Sequence, residues 1–285
     1  DGVEPGQRIL DWLELGSRES LSLNVDHIHG PDPAAQGRFL FVLTGDRPDR
    51  SMYDHINSYT GEDGSDGVVR IAAANLNASH AVLSLGQAGA DTDLLALNLV
   101  RAPRTAFKLI PGASHSGEAQ GIMAAAPAAT IDAVLRCLRV ADRESYAALC
   151  DAFDTENAQR DADKVELEPV GPFSPRVHIH DPRSLLIVRL SDEAGEPLLD
   201  TRFLFAAGSP PNPDWMPHGF MQDRQANSLT PHVISFFLNH ALLAGDDRVA
   251  DPTNSRRTLR PAVDGRRPYT ARIQPSVLSG LVHHA

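Results

Sequence analysis

Two short apolar runs, each stopped by a turn, constrain this chain more than any other feature. Positions 38–45 read Arg-Phe-Leu-Phe-Val-Leu-Thr-Gly and run into Asp46-Arg47-Pro48-Asp49, while positions 106–110 read Ala-Phe-Lys-Leu-Ile and close on Pro111-Gly112. Each is too short for a core helix and carries aromatic or β-branched side chains with few polar interruptions, the pattern of strands covered on both faces of a parallel sheet. Between them, Gly67 to Asn77 is Ala-rich with apolar residues at helical spacing. The stretch therefore reads as strand, loop, helix, strand, a βαβ crossover. Ile131, Val134, Leu135 and Leu138, then Tyr146, Leu149 and Phe153, recur at intervals of three and four and predict two amphipathic helices.

The pattern changes after about residue 160. Val177–His180, Ser184–Leu190, Leu198–Ala207 and Tyr269–Ile273 are strand-like runs separated by turn residues, and Gly208 to Asp214 is too proline-rich for a regular element. Val233, Phe236 and Leu242 fall at helical spacing and read as a buried helical face. The expected class is α/β: a parallel-sheet body over 1–160 followed by a smaller, mostly β, sandwich-like domain over 161–285.

Composition narrows the function. The 285 residues include 26 basic and 37 acidic side chains, a net charge of −11 at a globular hydrophobic content of 42%. Such a chain is expected to be soluble, and its charge argues against nucleic acid as the main partner. The local basic stretch Arg256, Arg257, Arg260, Arg266 and Arg267 reads as a solvated segment. No apolar run approaches the roughly 20 residues of a membrane-spanning helix. The two cysteines, Cys137 and Cys150, form no disulfide framework and no CxxC pair. Cytoplasmic and secreted locations both fit, the oligomeric state is open, and no cofactor is called for.

Chemistry is expected in the two loops that follow the predicted strands, because functional groups of open α/β sheets gather beyond the strands' carboxyl ends. The first loop is Tyr59-Thr-Gly-Glu-Asp-Gly-Ser-Asp66-Gly-Val-Val-Arg70, and the second is Ile110-Pro-Gly-Ala-Ser-His115-Ser-Gly-Glu118. An aspartate and a histidine brought together from these loops would do specific work. The carboxylate fixes the imidazole tautomer and stabilises the imidazolium formed when the ring takes a proton from a nucleophile. Asp66 could instead cap a following helix, with Glu62 and Asp63 as nearby alternatives, and His115 could be an ordinary loop histidine.

Ser65-Asp66-Gly67-Val68-Val69 and Pro111-Gly-Ala-Ser-His115-Ser-Gly117 resemble the acid loop and histidine loop of α/β-hydrolase lipases and esterases. The stretch from Gly16-Ser17 to Leu23-Asn24 is similar to a segment of bacterial triacylglycerol lipase and phospholipase-like members. Over residues 1–150 the resemblance implies that Asp66 is the triad acid and His115 the general base, acting on a lipid or phospholipid ester. It further implies that the β-rich half is an appended domain of the kind some lipases use for lipid or partner contact.

The family's nucleophile elbow, G-x-S-x-G, occurs nowhere in the chain; Gly112-Ala-Ser-His-Ser116 ends in serine where glycine is required. Since the family order is Ser, acid, His, the nucleophile is expected upstream of residue 1, which would leave this chain incomplete for activity on its own. Ser114 and Ser116 flank His115, but side chains adjacent in sequence rarely reach one another productively. Two other functions compete. A partner- or lipid-binding protein on a degenerate hydrolase fold would need neither Asp66 nor His115, and Trp215, Met216, Phe220 and Met221 would supply an apolar lip or a satellite core. A metal-dependent hydrolase would use His27-Ile-His29 or His178-Ile-His180, where alternate strand residues share a face. His283 and His284 are terminal.

Overall fold

The computed structural model describes residues 6–47, 64–85, 94–115, 121–122, 127–162, 164–170, 173–199, 201–265 and 267–275. The chain has a mixed α/β fold and divides into two compact units, residues 22–180 and residues 1–21 with 181–285. Its helices are α1 (Gln7–Leu13), α2 (Arg18–His29), α3 (Ile71–Ala74), α4 (Ala128–Leu138), α5 (Arg143–Ala162) and α6 (His240–Ala244). Its strands in the first unit are β1 (Phe41–Gly45), β2 (Ser79–Leu85), β3 (Leu94–Arg101), β4 (Ala106–Ile110), β5 (Val165–Val170) and β6 (Phe173–Ile179). The second unit adds β7 (Arg183–Arg189), β8 (Thr201–Ala207), β9 (Met221–Ala226), β10 (Val233–Asn239), β11 (Val249–Asp251), β12 (Asn254–Arg260) and β13 (Tyr269–Pro275).

The two apolar runs pair in parallel, with Phe41 opposite Ala106 and Gly45 opposite Ile110. Their connection departs from a simple crossover. Only Ile71–Ala74 of the expected 67–77 helix is helical, because Gly67 begins a tight turn and Asn75 breaks off the run in extended backbone. The antiparallel hairpin β2–β3 follows, with Val82, Leu83, Leu97 and Leu99 exposed.

The core of this unit lies where α4 and α5 cover the parallel pair. Ala133 and Cys137 from α4 and Tyr146, Leu149, Cys150 and Phe153 from α5 pack on Ala106 and Ile110. Both cysteines are buried free thiols, and burial raises their pKa values. Backbone groups on β4 that lack a strand partner find side-chain amides instead: Asn157 accepts from Leu109 N–H at 3.0 Å and donates to the Phe107 carbonyl at 2.9 Å. Lys108 sits in this buried strand because Glu156 neutralises it at 2.7 Å. At the entry to both strands the Tyr146 hydroxyl donates to the Leu40 carbonyl at 2.7 Å and accepts from Ala106 N–H at 3.2 Å.

In the second unit β7, β10 and β9 form a three-stranded antiparallel sheet and β8 pairs with β13. The helical reading of 233–242 is corrected here. Val233–Asn239 is a strand buried at every position, and helix begins only at His240. A strand covered on both faces loses the alternation that would reveal it. The N-terminal residues join this unit through Glu14, which accepts from Ser228 N–H at 2.9 Å, and Gly16, whose positive φ of 80° brings its backbone against Val233.

Candidate active site

The site is built at the carboxyl ends of the parallel strands. β1 ends at Gly45, where an added Cβ would lie 2.2 Å from the Ala113 carbonyl oxygen and 3.3 Å from Asp66 Cβ. The lack of a side chain lets three segments converge: the end of β1, the Asp66 turn and the turn after β4. Asp46 then holds the third. Its Oδ1 accepts from Gly112 N–H at 2.7 Å, and its own N–H donates to the Ala113 carbonyl at 3.0 Å. Gly112, at φ 73°, makes the reversal that a side chain would strain.

Asp66 and His115 meet at this convergence. Asp66 Oδ2 lies 3.2 Å from His115 Nδ1, and His115 N–H donates to the Asp66 carbonyl at 2.8 Å. The second carboxylate oxygen, Oδ1, accepts from Val68 N–H at 3.1 Å and Val69 N–H at 2.7 Å. A contact to His115 and a capping contact therefore coexist, one on each oxygen, and the cap closes a turn and not a helix: α3 begins only at Ile71. The Asp66 side chain is 5% exposed and that of His115 45%, so a shielded carboxylate holds a half-exposed ring. With Nδ1–H donated to Asp66, the ring's Nε2 carries the lone pair that can accept a proton. Ser114 beside it is fully buried and accepts from Ile122 N–H at 2.8 Å through its carbonyl, so it is part of the loop's backbone frame. Ser116, Glu62, Asp63, His283 and His284 lie outside the described residues.

A second histidine–carboxylate pair lies in the same unit. Glu166 on β5 accepts from Arg47 at 2.8 Å and is 2.7 Å from His180 Nε2. The His180 side chain is 7% exposed.

The His-x-His pairs do not assemble a metal centre among the described residues, where no group of three or more His, Cys, Asp or Glu has metal-binding geometry. The premise of a shared strand face fails for His27 and His29, which lie in α2. Two positions on a helix are turned about 200° apart. His29 instead meets His80 at 2.8 Å. His178 lies at the end of β6, with its ring centroid 6.5 Å from that of His180.

Asp46, Gly45 and Glu166 were not singled out from the sequence. Gly45-Asp46 directly after a buried strand was the available signal, since a glycine there permits close approach and an aspartate caps turns. Among the described residues no helix is long and apolar enough to cross a membrane.

No family model matches the chain, and no curated protein matches it. Solved structures do. Legionella pneumophila phospholipase PlaB in complex with thio-NAD is 36% identical with a TM-score of 0.76, the match covering 84% of this chain and 52% of that one. A second structure of the same phospholipase gives 37% identity and a TM-score of 0.76, covering 86% and 53%. The chain thus spans about half the length of the PlaB chains it matches. Over most of its own length it has a phospholipase-like fold, similar to that of PlaB.

Proposed function

We propose that this chain carries the acid and the base of a serine-dependent hydrolase of lipid or phospholipid esters, with Asp66 as the acid and His115 as the general base. In this reading residues 1–160 are the carboxyl-terminal part of an α/β-hydrolase domain and 161–285 an accessory β-rich domain. The observation that carries it is the asymmetry of the pair: a buried carboxylate clamped by two backbone N–H groups, 3.2 Å from the Nδ1 of a half-exposed histidine. The similarity to a phospholipase supports a lipid ester as the substrate class.

The chemistry follows from the geometry. His115 Nε2 takes the proton of a serine hydroxyl as its oxygen attacks the ester carbonyl, and Asp66 stabilises the resulting imidazolium. The imidazolium returns that proton to the departing alkoxide, leaving an acyl-enzyme. Water, deprotonated by the same nitrogen, then attacks the acyl carbonyl, and the imidazolium returns that proton to the serine oxygen as the fatty acid leaves. The reading assigns the nucleophile to a serine outside these 285 residues. The test uses the full-length protein: a fluorophosphonate should label one serine covalently, and Asp66→Asn and His115→Ala should each remove most phospholipid hydrolysis and slow labelling. Hydrolysis within tenfold of wild type for both variants would sink the proposal.

A further inference from the structure

The second unit holds an apolar cleft that the ester chemistry leaves unused. Its floor is made by Phe203, Phe205, Phe220 and Phe236, drawn from β8, β10 and the segment before β9. Their rings interlock, with centroids 5.2 Å apart for Phe205 and Phe236 and 5.8 Å for Phe205 and Phe220. Met216 and Met221 form the walls, and Met221 is 46% exposed. The cleft measures about 570 Å³, within the range of small-molecule sites.

The charge of the lining is one-sided. Arg202 and Arg224 are its charged members, and no carboxylate lines it, in a chain whose net charge is −11. The Arg224 guanidinium lies 6.0 Å from the Phe236 ring centroid, so its charge overlooks the floor. Neither arginine has an ion-pair partner among the described residues. The adjacent acid, Asp223, accepts from Gln225 Nε2 at 2.7 Å and from the Arg224 backbone N–H at 2.8 Å, and makes no ion pair with the Arg224 guanidinium. An aromatic slot with the Arg224 guanidinium near its floor and Arg202 in its lining suits a ligand with one hydrocarbon tail and one anionic head. A neutral lipid would fill the slot but leave the arginines without a counter-charge.

We propose that this cleft binds a long-chain fatty-acid anion, its tail on the phenylalanine floor and its carboxylate at Arg202 and Arg224. The proposal stands independently of the hydrolase reading, because binding is measured without turnover. Trp215, 52% exposed and adjacent to Met216, is the natural reporter, and Trp12 is the chain's one other tryptophan. A Trp12→Phe version of the full chain is titrated with oleate below its micelle concentration. The expected result is a saturable change in Trp215 emission that weakens several-fold as added salt screens the arginines. Oleyl alcohol, with the same tail but no charge, should bind about tenfold more weakly. Adding Arg202→Gln and Arg224→Gln should bring oleate down to the level of the alcohol without changing the alcohol, and Met221→Asp should weaken both. The salt and alcohol comparisons need no change in the lining, so they decide the matter even if a lining variant misfolds. Equal affinity for oleate and oleyl alcohol, or an unsaturable response, overturns the proposal. So does a response to anionic phosphatidylglycerol vesicles but not to monomeric oleate, which would make the occupant a membrane surface. Absence of oleate binding together with a concentration-dependent dimer broken by Met221→Asp would assign the cleft to a second copy of the chain.

Discussion

Among the described residues, the unit of residues 22–180 has two histidine–carboxylate pairs of opposite exposure. His180 and Glu166 are the closer, at 2.7 Å against 3.2 Å for His115 and Asp66. In the closer pair the imidazole is shielded and the carboxylate is shared with Arg47. In the other the carboxylate is shielded, pinned by backbone, and the imidazole is half-exposed. A general base must reach a proton outside the protein's own hydrogen bonds, so exposure of the ring matters more than the length of its bond to the acid. Contact distance alone would favour His180, whereas exposure favours His115. Both rings are held at one nitrogen, so what separates them is the exposure of the ring.

The largest expected effect separates the pairs by activity. In the full-length protein His115→Ala should lower kcat about a thousandfold or more, with stability changed by roughly 0.5 kcal/mol or less. His180→Ala should do the reverse, leaving kcat within about threefold and costing about 1–3 kcal/mol in chemical denaturation. If both lose activity equally, the distinction collapses. Gly45→Ala comes next, because its Cβ would meet the Ala113 carbonyl at 2.2 Å. Overpacking of this kind should cost about 1–3 kcal/mol and disturb the Asp66–His115 geometry together, whereas unchanged melting would show that the convergence can relax. Asp66 can be divided further. Asn keeps an oxygen for Val68 and Val69 while losing the charge toward His115, so Asp66→Asn should fall in kcat with little change in stability. Asp66→Ala should lose about 1 kcal/mol besides, as at a lost helix cap.

The smallest effect is a baseline away from either pair. Hydrogen bonding to Arg136, then to Lys108, lowers the Glu156 pKa despite partial burial. A depressed carboxylate contributes stability that is complete above its unfolded pKa and disappears as the pH falls through the folded one. Glu156→Gln should therefore flatten the acid side of the stability profile by about 0.5 kcal/mol or less, given its partial exposure, and leave neutral-pH activity alone. A large change in activity would mean that the helix facing β4 is coupled to the site.

How far the sequence disclosed this arrangement depended on the range of the interactions involved. β1 and β4 were legible as short continuous apolar runs, and α5 because Tyr146, Leu149 and Phe153 bury one helical face. α4 was legible as a helix but not in its packing, since Ile131, Val134, Leu135 and Leu138 are exposed and Thr130, Ala133 and Cys137 face inward. The juxtaposition of Asp66 with His115 followed from placing two loops at one end of a parallel pair. The β2–β3 hairpin was not legible: its leucines are exposed, so their apolar character does not mark a core. β10 was misread because complete burial erases the period that separates strand from helix. The roles of Asp46 and Gly45 depend on Ala113 and Gly112, more than sixty positions away, and no local pattern encodes such a contact.

Tyr146 fastens Leu40 and Ala106 together at the end of the strands remote from Asp66 and His115. Strands advance about 3.3 Å per residue. A slip of one position between β1 and β4 would displace the far ends by that amount, comparable to the 3.2 Å between Asp66 and His115. The same slip would turn every side chain of the moved strand to its opposite face. The smallest error that a sliding sheet can make is thus as long as the contact it would carry away, and one phenol at the origin of both strands acts as the datum from which the far end is measured.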